Sequence, residues 1–297
     1  MKIRRLLLLL TVLMSPGMAR ADASQNVLSA AEQRAGWRLL FDGKSLNGWR
    51  GYRQQGTSDG WQVVDGTLVC NGTGGDLITE EQFRSFELAL EYNIAPGGNS
   101  GVMYHVTEEG EQPWQTGPEV QILDNESAEE TQKAGWLYGL FSSNHDTTRP
   151  AGQWNELRIR INPDRCSTLV NGVVYHRYRL GDDKWKNRVA ESKFADYPNF
   201  GSADRGHICL QEHNSRVAFR NIKIRTLEDG QNQFDPVDGE LALKPVLAFP
   251  ELEWKGWSPI DDDGLARRFR PIGLTHAGDG TNRLFVIEQY GSIFVFE

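Results

Sequence analysis

Alternating apolar and polar positions dominate the chain between Trp37 and Arg225, and helical periodicity is nearly absent there. Phe86, Leu88, Leu90, Tyr92 and Ile94 alternate with Glu87, Ala89, Glu91 and Asn93, which predicts a strand with one buried and one open face. Asn155, Leu157, Ile159 and Ile161 alternate with Trp154, Glu156, Arg158 and Arg160 in the same way. Trp61–Val64 and Thr67–Cys70 flank Asp65 and Gly66, and Thr168–Val170 and Val173–Tyr178 flank Asn171 and Gly172. Asp-Gly and Asn-Gly suit two-residue turns in which both residues take positive φ, so two hairpins are expected. Gly206–His213 and Val217–Arg225 read as two further strands joined by Asn214 and Ser215. Ahead of all these, Ser29 and Glu32 stand at capping-box spacing and predict a short helix ending near Gly36.

Many short strands with Gly and Asn turns mean an all-β sandwich or barrel. The strand-rich region is too long for an immunoglobulin domain and lacks its Cys–Trp–Cys spacing, so a two-sheet jelly roll fits better. Nine Trp leave several to line a concave face, where an aromatic ring can stack on a sugar, or to fill the core.

The polar residues that interrupt this pattern concentrate between Gly97 and Asp124. One strand carries Tyr104 and His105; the next carries Glu119 and Gln121 alternating with Val120 and Ile122, so the carboxylate and amide share the face opposite the apolar pair. A carboxylate, an amide, an imidazole and a Tyr hydroxyl close together suit a sugar, the competing reading being an ordinary solvated sheet face. Alternation sets Tyr104 and His105 on opposite faces, and Asp124 suits a turn cap as well as a site.

The two ends read differently. Lys2, Arg4 and Arg5 precede the apolar run Leu6–Leu10, and Ala19 and Ala21 bracket Arg20, which makes residues 1–21 a secretory signal peptide. The run is too short to span a bilayer, so a periplasmic or secreted chain starting near Asp22, with no membrane contact after cleavage, is expected. Residues 229–270 are rich in acids, Pro and Gly and read as a linker, after which strand patterning returns over residues 271–297.

The full chain has a formal net charge of −8; loss of residues 1–21 removes four of 32 basic residues and none of 40 acidic ones, giving −12. An acidic chain without a basic cluster is a poor partner for nucleic acid. Cys70, Cys166 and Cys209 are too few and too far apart for a disulfide framework or a zinc site and read as small core residues, although one pair could form outside the cytoplasm. Nothing in the sequence sets the oligomeric state.

At this point the chain resembles two families. Residues 28–226 resemble the 3-keto-disaccharide hydrolase domain, also described as 3-keto-glucoside 1,2-lyase and 3-keto-2-hydroxy-glucal hydratase. The matching pieces, in family order, include Gly36–Trp49, Gly98–Tyr104, Pro118–Asp124, Trp136–Leu140, Gly152–Glu156, Val170–Val173 and the run from Ile208 to Ile224. The resemblance implies a concanavalin-like or laminarinase-like jelly roll over residues 28–228, with His105 standing where Arg is more usual. Residues 271–297 look like the first blade of a glucose/sorbosone dehydrogenase propeller. Propellers of that family can bind pyrroloquinoline quinone, but one blade cannot form the site, so neither the cofactor nor the dehydrogenase activity is carried over.

The first resemblance implies cleavage of a glycoside already oxidised at C3, by removal of the C2 proton, elimination at C1 and addition of water. Such a site needs a base, a donor or cation for the enolate oxygen, and an acid for the leaving group. Glu119 is the first candidate, as base or metal ligand, and His145, in a polar loop, is a candidate acid or base. Tyr104, Gln121, Gln211 and His213 are candidates for substrate binding, the last two sharing one strand face. Glu119, His145 and His213 have the ligand chemistry for a divalent cation, though not at a recognised motif spacing. Two-carboxylate glycosidase chemistry is disfavoured because the Glu119 strand offers one Glu on its polar face. The alternative is a non-catalytic carbohydrate-binding module tethered to a sugar dehydrogenase; a structural adhesion domain is a third reading.

Overall fold

The structure, a computed structural model, describes residues 25–129, 131–162, 165–228, 271–276, 284–288 and 293–296. The expected signal peptide (1–21) and linker (229–270) lie outside these residues. The chain divides into two compact units, Met1–Leu241 and Ala242–Glu297.

The first unit opens with helix α1 (Ala30–Arg34), where Ser29 and Glu32 form the expected reciprocal capping box. Eight strands follow: β1 (Arg38–Leu39), β2 (Trp49–Gly51), β3 (Trp61–Val64), β4 (Thr67–Asn71), β5 (Leu77–Thr79), β6 (Phe86–Ile94), β7 (Asn99–Val106) and β8 (Glu119–Leu123). Next come β9 (Asn155–Ile161), β10 (Cys166–Val170), β11 (Val173–Tyr178), helix α2 (Asp183–Ala190), β12 (His207–Leu210) and β13 (Arg216–Thr226). They form two antiparallel sheets, an eight-stranded one ordered β11-β10-β9-β6-β13-β4-β3 with β1 beside β13, and a five-stranded one ordered β2-β5-β12-β7-β8. The all-β, two-sheet architecture expected from the pattern is present.

Both hairpins form where the turn chemistry placed them. Asp65 and Gly66 take φ of 48° and 74°, and Asn171 and Gly172 take 47° and 81°. The strands β12 and β13, though adjacent in sequence, belong to different sheets, so Asn214 and Ser215 make a crossover rather than a hairpin. In β13, Asn221 (φ 53°) forms a bulge that shifts the register between Arg220 and Lys223. The extra residue lets Phe219 and Ile222 both reach the core despite their odd spacing.

Between the sheets lies a continuous apolar core built from alternate residues of the long strands: Leu88, Leu90 and Tyr92 of β6, Val102 and Tyr104 of β7, Val120 and Ile122 of β8, and Phe219 of β13. Cys70, Cys166 and Cys209 are buried and free, as expected of small core residues. The outer face of the larger sheet is not open as the alternation suggested. Glu87 is fully buried there, its carboxylate paired with Arg225 and with Arg160 at 2.9 Å, while Arg158 reaches it at 3.5 Å. Three guanidinium groups close over one carboxylate and seal that part of the face.

Helix α2 and the 3-10 turn Lys193–Asp196 were not expected from periodicity. Only Trp185 of α2 is buried, so the helix has no apolar stripe to read; Asp182 caps it by accepting from the Trp185 N–H at 2.7 Å. The second unit contains, among its described residues, three antiparallel strands in sequence order: β14 (Pro271–His276), β15 (Leu284–Glu288) and β16 (Ile293–Phe296).

Candidate active site

The site lies on the face of the smaller sheet that looks away from the interlayer core. Because Val120 and Ile122 point inward, their neighbours Glu119 and Gln121 point outward, as their alternation required. Met103, the cross-strand partner of Glu119, joins Ile78, Cys209, Val106 and Tyr52 in a second apolar cluster that floors this face.

Glycine decides where the carboxylate goes. Gly101 pairs with Gln121, and a Cβ at Gly101 would stand 2.3 Å from Glu119 Oε1 and 2.8 Å from its Cδ. The Glu119 side chain therefore lies across the bare backbone of Gly101, toward β12. Gln211, whose own N–H donates to the Gly101 carbonyl at 2.9 Å, donates from Nε2 to Glu119 Oε2 at 3.4 Å. Its other amide atom, Oε1, is buried with no partner. Gln121 donates from Nε2 to Asn99 Oδ1 at 2.6 Å. Segment 135–138 clamps the outer edge of β8: Gly135 N–H donates to the Gln121 carbonyl, Gln121 N–H to the Trp136 carbonyl, and Tyr138 N–H to the Glu119 carbonyl, at 2.8, 2.9 and 2.9 Å.

These groups surround a cavity of about 130 Å³, roomy enough for several waters or a small polar ring. Of the residues expected at the site, Glu119, Gln121, Gln211 and the exposed His213 line it. Asn99, Trp114, Gln132, Tyr138 and Lys193 complete the lining. Glu119 is the only carboxyl among these lining residues.

Two other expected residues are elsewhere. Tyr104 is fully buried between the sheets, where its hydroxyl meets that of Tyr178 at 2.9 Å. His145 is exposed in its loop, 6.2 Å from the Tyr175 ring, and is not among the cavity's lining residues. The cation ligand set of Glu119, His145 and His213 is accordingly not gathered at one point, and among the described residues no group of three His, Cys, Asp or Glu has metal-holding geometry. Tyr104 and His105 are also not on opposite faces. His105 takes φ 52° in a bulge opposite Ile208, which breaks the alternation; the two rings meet edge to face at 5.6 Å. His105 Nε2 then reaches the Arg84 carbonyl at 2.7 Å, buried and away from the cavity. Asp124 caps a turn, accepting from Gly97 N–H at 2.8 Å and Glu126 N–H at 3.3 Å.

Burial pushes the Glu119 carboxyl up to about 8; the charge of Asp76 adds to this, while Lys193 and the Gln211 hydrogen bond oppose it. Asp76, just before β5, accepts from the Glu212 N–H at 2.9 Å and is pushed up to about 6, chiefly by burial. A carboxyl poised near 8 among amides can take a proton from a weak carbon acid, and the partnerless amide oxygen of Gln211 can accept from a ligand hydroxyl.

Sequence reasoning missed Lys193, Trp114, Tyr138 and Asp76. Tyr138 and Asn99 lay inside motifs already singled out, Trp136–Leu140 and Gly98–Tyr104. Lys193 carried no local signal, because a turn beyond α2 delivers it.

Known proteins resemble this one in sequence or fold. A Parabacteroides distasonis protein of known crystal structure, described as a candidate glycosyl hydrolase, superposes with a TM-score of 0.66 at 32% identity, over 69% of this chain and 100% of that one. A second such protein from the same organism gives a TM-score of 0.52 at 25% identity, over 64% and 99%. A Bacteroides thetaiotaomicron protein named 3-keto-disaccharide hydrolase is 30% identical over 229 residues, 65% of this chain and 79% of that one. The profile of the 3-keto-alpha-glucoside-1,2-lyase-like domain matches residues 36–225, and the chain belongs to that family.

Proposed function

We propose that this protein is a carbohydrate-active enzyme that cleaves 3-keto-glycosides, with Glu119 as the base. The observation that carries this reading is a single carboxyl, raised to about 8, lying in a cavity otherwise lined by amides, aromatic rings, an imidazole and a lysine. A ketone at C3 acidifies the hydrogen on C2, since the electrons left behind spread onto the C3 oxygen. Glu119 in its ionised form takes that proton, the C2–C3 enolate forms, and its electrons then expel the C1 oxygen, which leaves as the alcohol once protonated. Water adds across the resulting C1=C2 bond, hydroxyl to C1 and hydrogen to C2, so the net change is hydrolysis. Gln121, Gln211 and His213 hold the sugar hydroxyls.

Direct displacement at C1 needs two carboxyl groups flanking the bond. The lining of the cavity supplies one, which favours elimination. A second reading, a non-catalytic carbohydrate-binding module, draws on Trp114 and Tyr138, whose rings border the cavity and offer stacking surfaces. The export of the protein to the periplasm or medium is proposed on residues 1–21 alone.

The test is to incubate the full-length protein with a 3-keto-glucoside and with its unoxidised parent. Release of the alcohol from the keto sugar alone supports the enzyme; binding of both without turnover supports the module. Glu119→Gln lowers turnover by roughly a hundredfold or more if Glu119 is the base, and an unchanged rate removes it from the mechanism.

A further inference from the structure

We propose that Lys193 is a catalytic residue of this site, its ammonium group stabilising the negative charge that forms on the C3 oxygen when the C2 proton leaves. The inference rests on the reading of Glu119 as the base and assigns the second half of the same step. Lys193 lines the cavity together with Glu119, close enough for its charge to bear on that carboxyl. Its Nζ is nevertheless not committed to a carboxylate: among the described residues it has no ion-pair partner.

Aromatic faces hold it instead. Nζ stands 4.4 Å from the centre of the Tyr138 ring, 5.1 Å from Trp114 and 5.3 Å from Phe194. Ring faces attract a cation without neutralising it, so the charge stays available to a ligand. The backbone beneath is fixed on both sides. Ser192 accepts from the Phe194 N–H at 3.1 Å, and the Phe194 ring stacks on Phe200 with centres 3.9 Å apart. A donor anchored in this way needs little rearrangement when charge develops, which is the condition under which oxyanion stabilisation is most effective.

The chemistry divides cleanly between the two residues. The C2–H bond breaks toward Glu119, its electron pair forms the C2–C3 double bond, and the former carbonyl pair settles on the C3 oxygen against the Lys193 ammonium. Lys193 transfers no atom; it lowers the energy of the enolate relative to the ketone.

The experiment isolates that step. Full-length protein is incubated in heavy water with a 3-keto sugar that carries hydrogen in place of the C1 leaving group, and the exchange of its C2 hydrogen for deuterium is followed by NMR. Exchange by the wild type falls on the order of a hundredfold to a thousandfold in Lys193→Met, the loss typical of removing one oxyanion donor, with KM little changed and partial recovery in Lys193→Arg. Because Lys193 is exposed and only its ring contacts are at stake, both variants melt within a few degrees of the wild type. Exchange at the wild-type rate in Lys193→Met overturns the proposal, as does a loss confined to KM. A defect seen only with substrates bearing a carboxylate overturns it too, since that marks substrate recognition. If the wild type itself exchanges nothing, the base assignment falls and this inference falls with it; if only the lysine variants behave like wild type, the base assignment stands alone.

Discussion

Replacing Glu119 by Gln should make the protein more stable at alkaline pH while lowering turnover by roughly a hundredfold or more. The Glu119 carboxyl sits at about 8 in the folded protein against a reference value of 4.5. Below about pH 4.5 it is protonated whether folded or unfolded, and ionisation contributes nothing. As pH rises from there, the unfolded chain releases the proton and the folded one keeps it, so the folded state loses ground until it too ionises near 8. The gap of about 3.5 units is worth about 5 kcal/mol at most, at 1.36 kcal/mol per unit; relaxation around the charge brings the figure to between about 2 and 5 kcal/mol. The substituted amide cannot ionise and escapes this penalty. For a unit of this size each kcal/mol moves the melting temperature by about 2–4 °C. Thermal melts followed by circular dichroism should therefore agree within error near pH 4.5 and diverge by roughly 5–20 °C near pH 8.5, the variant melting higher. A difference that does not grow with pH, or a variant that melts lower at alkaline pH, refutes the claim that burial raises this carboxyl.

Other expectations concern the same residues and the ones set apart from them. The kcat/KM for a 3-keto-glucoside rises about tenfold per pH unit and levels off near 8, because only about a tenth of Glu119 is ionised at neutral pH; a flat profile through this range would remove Glu119 as base. Gly101→Ala sets a methyl group where Glu119 Oε1 now lies, 2.3 Å from the new Cβ, and lowers kcat by roughly a hundredfold while costing about 1–3 kcal/mol in chemical denaturation. Tyr104→Phe leaves kcat unchanged and costs about 1 kcal/mol, since it removes one hydroxyl of a buried pair remote from the cavity lining. His145→Ala changes neither turnover nor, beyond about 0.5 kcal/mol, stability, because the side chain is exposed outside the cavity; a large loss of turnover would restore His145 to the site.

The parts of the fold legible in the sequence are those governed by neighbouring residues. Asp65-Gly66 and Asn171-Gly172 specify their turns outright, and the alternation gave the strand Phe86–Ile94 to the residue and the strand Asn155–Ile161 to within one residue, Trp154, at its start. The placement of Glu119 and Gln121 on one face, opposite Val120 and Ile122, was legible for the same reason. What alternation could not carry was anything set by distant residues. The burial of Glu87 depends on Arg158, Arg160 and Arg225 arriving from two other strands. His105 leaves the expected face because a left-handed backbone residue breaks the period. Lys193 reaches the cavity on a turn whose path depends on Phe194 and Trp185 finding Phe200. The strands β12 and β13 fall in separate sheets although only five residues separate Leu210 from Arg216, a choice that the composition of the connection does not reveal.

The position of β13 has a consequence for synthesis. Among the described residues it is the last strand of its unit, yet it lies inside the larger sheet, between β6 and β4, with β1 also alongside. Until Arg216–Thr226 has left the ribosome, β11-β10-β9-β6 and β4-β3 stand apart, each with a bare edge where β13 belongs, and β1 lacks its partner. A nascent chain stalled or cut short before that point would display two such edges at once, a template for pairing with other chains.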